Sequence, residues 1–133
     1  MYGYAIRYEL PYMEGDVLSD VTIYHNPRCS KSRQTLELIR SHGIEPRIIF
    51  YLESPPTADE LDEILNRLSM EATELIRTSE SIYAELNPDQ LELSRAAAIE
   101  LMVANPRLIQ RPIVVVDDKA IIGRPPEDVE RIL

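Results

Sequence analysis

The sequence predicts an α/β domain with a mixed β-sheet, laid out as βαβ, an α-helical insertion and then ββα. Three stretches carry that reading. Alternating residues from Val21 and a near-continuous apolar run, RIIFYL at 47–52, flank a segment of helical spacing. From about 53 to 110 the periodicity is helical and the composition acidic. PIVVVDDKAII, residues 112–122, then holds two β-branched runs around Asp117 and Asp118, the pattern of an antiparallel hairpin.

In chain order, Val21 and Ile23 alternate with polar neighbours, so a first strand ends near the turn at His25, Asn26 and Pro27. The spacing of Leu36, Leu38 and Ile39 predicts a helix from about Ser30 to His42. Arg40 and His42 suit the negative end of its dipole, and Gly43 suits a left-handed position just past its end. RIIFYL has the length and continuity of a strand covered on both faces. Strand, helix and strand make a right-handed unit with Cys29 at the handover from first strand to helix.

The insertion opens on Thr57 and Glu60, which have the spacing of a capping box, and continues with Leu61, Ile64, Leu65 and Leu68 on one helical face. Shorter helical pieces are predicted around 71–77 and 80–86. A longer one, from about Arg95 to Ala104, is capped by Ser94, buries Ala98, Leu101 and Met102, and stops at Asn105 and Pro106. A short helix closes the chain, with Pro125 and Pro126 in its first turn and Glu127 and Asp128 at its positive end. Residues 1–20, with four of the seven tyrosines and no sustained period, read as an extension ahead of a single domain at 21–133. An ordered arm, an appended remnant and an upstream start ahead of Met13 are all compatible with it.

Composition limits function. A chain of 133 residues buries about two thirds of its unfolded surface and folds without staples. The single cysteine forms no internal disulfide, and neither a signal-like start nor an apolar run near the roughly 18 residues of a membrane span occurs. The expected compartment is therefore the reducing cytoplasm. A net charge of −9 argues against nucleic-acid and membrane-surface binding, both of which need clustered cations. Residues 53–100 carry twelve Asp and Glu against three Arg, so one acidic segment sits within an electrically balanced remainder and reads as a solvated helical face.

The stretch HNPRCSKSR, residues 25–33, holds the thiol. A lone cysteine can be a small buried hydrophobe. At the start of a helix, however, it meets unpaired backbone N–H groups and the positive dipole end, which favour thiolate, and His25, Arg28, Lys31 and Arg33 lie within four residues of it. His25 either bonds backbone at a strand end or, if protonated and close, stabilises the thiolate. Ser32 either donates to the sulfur or satisfies the first helical turn. Arg77, Arg111 and Arg124 matter because forked guanidinium donors match tetrahedral oxyanions, and the last two directly precede prolines. No metal is expected, since two histidines and one cysteine make a poor ligand set.

With those residues in view, IYHNPRCSKSR, YLESPPT, LIRTSESIYAEL, LIQRPIVV and GRPPE resemble, in order, the glutaredoxin-coupled arsenate reductases, over residues 21–133. The signature His-x3-Cys-x3-Arg falls on His25, Cys29 and Arg33. The resemblance implies a thioredoxin-like fold with a helical insertion and a cis proline at Pro112. It also implies that Cys29 attacks arsenate, that Arg77, Arg111 and Arg124 bind the oxyanion, that glutathione is co-substrate and that glutaredoxin is partner, with no bound cofactor. Arg28, Ser30 and Lys31 resemble a sister branch often named arsenate reductase-like. Ser32 removes the Cys-x-x-Cys switch of a related regulator branch, and Thr35 removes the Cys-x5-Arg loop of phosphatase-like reductases. Two alternatives stay open: a glutathione-dependent thiol-disulfide oxidoreductase with another substrate, and a non-enzymatic adaptor of the same fold.

Overall fold

A computed structural model of the chain describes residues 20–86 and 93–133. The extension expected at 1–20 lies, apart from Asp20, outside the described residues. The elements run β1 (Val21–His25), α1 (Ser30–Ser41), β2 (Arg47–Phe50), α2 (Ala58–Leu68), a 3-10 turn (Ala72–Leu75), α3 (Ser81–Leu86), α4 (Arg95–Ala104), a 3-10 turn (Pro106–Leu108), β3 (Ile113–Val116), β4 (Lys119–Ile122) and a final 3-10 helix (Pro126–Arg131). The sheet order is β2-β1-β3-β4. β1 runs parallel to β2, with Ile23 opposite Ile48, and antiparallel to β3, with Ile23 opposite Val114. β3 and β4 form the predicted hairpin, with Ile113 opposite Ile122.

Local chemistry sets several boundaries. Gly43 adopts φ +77 and its N–H donates to the Arg40 carbonyl at 2.9 Å, ending α1. Thr57 and Glu60 form the reciprocal cap: Glu60 N–H to Thr57 Oγ1 at 3.1 Å, Thr57 N–H to Glu60 Oε1 at 2.9 Å. Ser94 Oγ accepts from Ala97 N–H at 3.1 Å and starts α4. Losing such a cap costs about 1 kcal/mol.

All four residues of β3 are buried, because helical layers cover both faces of this central strand. On one face Val114 and Val116 join Val21, Ile23, Leu36, Ile39 and Val129, from β1, α1 and the final 3-10 helix. On the other, Ile113 and Val115 join Leu61, Ile64, Leu65, Leu75, Met102 and Leu108 from the insertion. Fully buried side chains such as Leu61 each contribute about 1.5–3 kcal/mol.

Three expectations are corrected. The strand read over 47–52 ends at Phe50 and is an edge strand, exposed at Arg47 and Phe50. Its continuous apolar pattern comes instead from Tyr51, which turns into the insertion-side core beyond the last strand residue. The closing helix is 3-10, and Pro125 stands before it with ψ 162 rather than within its first turn, because a residue preceding a proline is pushed out of the helical region. In α4, Ile99 takes the fully buried place expected for Leu101, which is only half-buried.

Candidate active site

Cys29 is the N-cap residue of α1, at φ −93 and ψ 122, so its side chain lies before the helix while its carbonyl already accepts from Arg33 N–H at 3.0 Å. A tight turn holds it there. Cys29 N–H donates to the Asn26 carbonyl at 3.0 Å, and Arg28 N–H donates to Asn26 Oδ1 at 3.0 Å. Burial alone would raise the Cys29 thiol. The backbone N–H of Ser32, the Arg111 side chain and the backbone N–H of Lys31 outweigh it, and the thiol sits below the ordinary cysteine value. The cation that stabilises the sulfur therefore comes from the start of β3, not from the exposed side chains of Arg28, Lys31 or Arg33.

Arg33 turns back along the loop and donates to the Pro27 carbonyl at 2.9 Å, bracing the turn that presents Cys29. His25 is buried, and its Nδ1 lies 2.6 Å from Ser32 Oγ, which also accepts from Asn26 N–H at 3.0 Å. Burial, then Arg40 and Arg33, hold the imidazole below its usual range, so it is neutral near pH 7. The idea of a protonated His25 beside the sulfur is thus corrected for neutral pH: desolvation and neighbouring cations delay its charging to lower pH. Its bond is to Ser32, whose hydroxyl is engaged by His25 and Asn26, leaving the Ser32 amide to the sulfur.

The three arginines singled out in the sequence come together. Arg77 Nη1 lies 2.8 Å from Glu80 Oε2, and Arg111 Nη1 lies 3.9 Å from the same oxygen. Arg124 Nη1 donates to the Arg111 carbonyl at 3.2 Å. Burial and then Arg111 push the Arg77 guanidinium below its usual range, Glu80 opposes this, and Arg124 adds to it, as expected where like charges gather. The peptide bonds Arg111–Pro112 and Arg124–Pro125 are both cis.

Four contributors escape the sequence reading. Glu80, assigned to a solvated face, has a side chain only 17% exposed among the arginines, and Arg107 Nε lies 3.8 Å from its Oε1. Tyr51 is buried, with its phenol raised by burial and answering to Arg111, Cys29 and Arg77. Its hydroxyl and Arg111 Nε are both buried without a well-formed hydrogen bond, although the guanidinium lies beside the phenol. Gly123 donates its N–H to the Pro112 carbonyl at 2.9 Å, and a Cβ there would meet Thr35 Oγ1 at 2.6 Å. That close approach seats the Arg124 loop against α1 and the Pro112 turn, and a glycine before a double proline was its one visible signal. A recess of about 380 Å³ near the start of β1 has both signs of charge on its wall but no cysteine, so the chemistry is read at Cys29.

Fold and site together define a thioredoxin-like α/β protein whose one thiol, at a helix N-terminus, faces a group of arginines able to receive an oxyanion. The model of the ArsC family matches residues 24–132, and the chain belongs to that family. An Escherichia coli protein named "Uncharacterized protein YfgD" is 53% identical over 114 residues, covering 85% of this chain and 96% of its own. The arsenate reductase of Haemophilus influenzae is 46% identical over 114 residues, covering 85% of this chain and 98% of its own. A solved structure of an arsenate reductase from Vibrio cholerae superposes with a TM-score of 0.83 at 46% identity, covering 86% of this chain and 98% of that one.

Proposed function

We propose that this protein reduces arsenate to arsenite, with Cys29 as nucleophile, glutathione as co-substrate and glutaredoxin as the completing reductant. The observation that carries the reading is the Cys29 thiol, whose burial cost is outweighed by the Ser32 amide, Arg111 and the Lys31 amide, with Arg77 and Arg124 gathered around that same Arg111. Likeness to arsenate reductases supports the choice of oxyanion.

In this reading the arginines seat the oxyanion and offset charge on its oxygens. The Cys29 thiolate attacks arsenic, forming an S–As bond as one oxygen leaves, after protonation, as water. Glutathione displaces a second oxygen in the same way and its sulfur joins the arsenic. A glutaredoxin thiolate then attacks the glutathione sulfur. The S–S bond forms, and the electron pair of the broken As–S bond remains on arsenic, which falls from the +5 to the +3 state. Water cleaves the remaining Cys29–As bond, releasing arsenite and the thiol. Both reducing electrons thus come from outside, so a chain with a single cysteine suffices.

No helix among the described residues is long and apolar enough to cross a membrane, and a cytoplasmic glutathione pool would supply the co-substrate. Turnover measured with arsenate, glutaredoxin, glutathione and an NADPH-coupled glutathione reductase should be lost on Cys29→Ser. Equal rates for the two proteins would falsify the reading. Glutathionylation of Cys29 by oxidised glutathione with no arsenate turnover would transfer the site to thiol-disulfide exchange.

A further inference from the structure

We propose that Glu80 is an internal competitor for the oxyanion site and so sets how tightly that site takes a tetrahedral oxyanion. Its carboxylate occupies guanidinium groups that an incoming tetrahedral oxyanion must engage. The inference rests on the oxyanion reading above and adds to it a residue with no assigned role.

The geometry is that of an anion already bound. One oxygen of Glu80 is shared between Arg77 at 2.8 Å and Arg111 at 3.9 Å, and the other faces Arg107 at 3.8 Å. The side chains of Glu80, Arg77 and Arg111 are each at most 17% exposed, so these pairs are poorly screened by water. Arg111 serves both this carboxylate and the Cys29 sulfur, whose ionised form it favours. Cys29 is anchored through its backbone, as the N-cap of α1 and by its bonds to Asn26 and Arg33. Glu80 stands just before α3, and its carboxylate is held by side chains on a flexible stem. Of the two, Glu80 is the one an oxyanion can displace.

Such a competitor has a use. Phosphate and arsenate share shape and charge, and guanidinium groups bind both. Tight binding common to both would let phosphate fill the site without advancing the reaction, because uniform binding does not raise the chemical rate. A carboxylate that weakens every tetrahedral anion alike lowers the occupancy of the site by both without changing their ratio, so it sets affinity and leaves discrimination to the formation of the S–As bond.

The test uses the whole chain with inorganic phosphate as probe, reading its protection of Cys29 against iodoacetamide. Removing one negative charge a few ångströms from the bound anion should lower the half-protecting phosphate concentration about tenfold in Glu80→Gln. Glu80→Ala, which cannot replace the hydrogen bonds as Gln can, should do the same, and far-ultraviolet circular dichroism checks that each variant is folded. A purely structural Glu80, one that only orders Arg77 and Arg111, predicts the opposite sign. Half-protection at equal or higher phosphate in whichever variant folds overturns the proposal while leaving the oxyanion site intact. If phosphate protects neither wild type nor variants, the oxyanion reading itself fails and the proposal with it.

Discussion

Arg111, at the threshold of β3, favours the ionised form of Cys29, at the threshold of α1, and this pairing links the two halves of the site across the sheet. Strand pairing makes it possible. β1 and β3 lie side by side, with Tyr24 opposite Ile113, so the residues just beyond Tyr24 and just before Ile113 reach the same end of the sheet. The lowered thiol is therefore a product of sheet register as much as of helix capping.

Loss of that contact should be visible in cysteine chemistry alone. A hydrogen bond to a charged group is worth about 1.5–3 kcal/mol, so Arg111→Ala should slow iodoacetamide alkylation of Cys29 near pH 7 about tenfold or more and move its pH profile to higher pH. Arg111→Lys, which keeps charge but not the forked geometry, should fall between. An unchanged profile in the alanine variant would mean that the amides of Ser32 and Lys31 suffice.

The buried trio of His25, Ser32 and Asn26 should govern acid stability. Burial, followed by Arg40 and Arg33, lowers the folded-state value for His25, so the unfolded chain takes up its proton first, at about pH 6.5. Stability is then greatest above that pH and is lost as the pH falls from it toward the folded-state value. Melting temperatures between pH 7.5 and 5.5 should decline less steeply for His25→Gln than for wild type. Parallel slopes would assign the decline to other groups.

Gly123 offers a test of packing. An added methyl would stand 2.6 Å from Thr35 Oγ1 and 3.0 Å from Pro112 Cγ, and Thr35 is itself fixed by a 2.8 Å bond to the Lys31 carbonyl. Gly123→Ala should destabilise the fold by about 1–3 kcal/mol, measured by urea unfolding. Thr35→Ser, which removes one of the three close atoms, should recover only part of the loss in the double variant, because the clash with Thr35 Oγ1 remains.

Much of this protein was legible in one dimension because the interactions concerned are local. The cap of Thr57 by Glu60, the left-handed Gly43 after α1 and the Ser94 cap of α4 each involve residues within a few positions of one another. Cys29 at a helix start belongs to the same class. The prolines after Arg111 and Arg124 and the match of guanidinium to oxyanion drew attention to these two and to Arg77, though nothing in a linear pattern says which way a guanidinium points.

Distance through space decided the rest. Glu80 looked like one more solvated carboxylate, His25 like a possible cation and RIIFYL like a doubly covered strand. Tertiary packing made Glu80 an enclosed counter-ion, desolvated His25 into a neutral ring, and put β2 at the edge of the sheet. The sequence by itself determined where helices begin and end and where the thiol stands among them, since short-range hydrogen bonds and apolar periodicity do that work. Only the folded structure decided the charge of the site, because ionisation depends on burial and on which distant groups the sheet brings within a few ångströms.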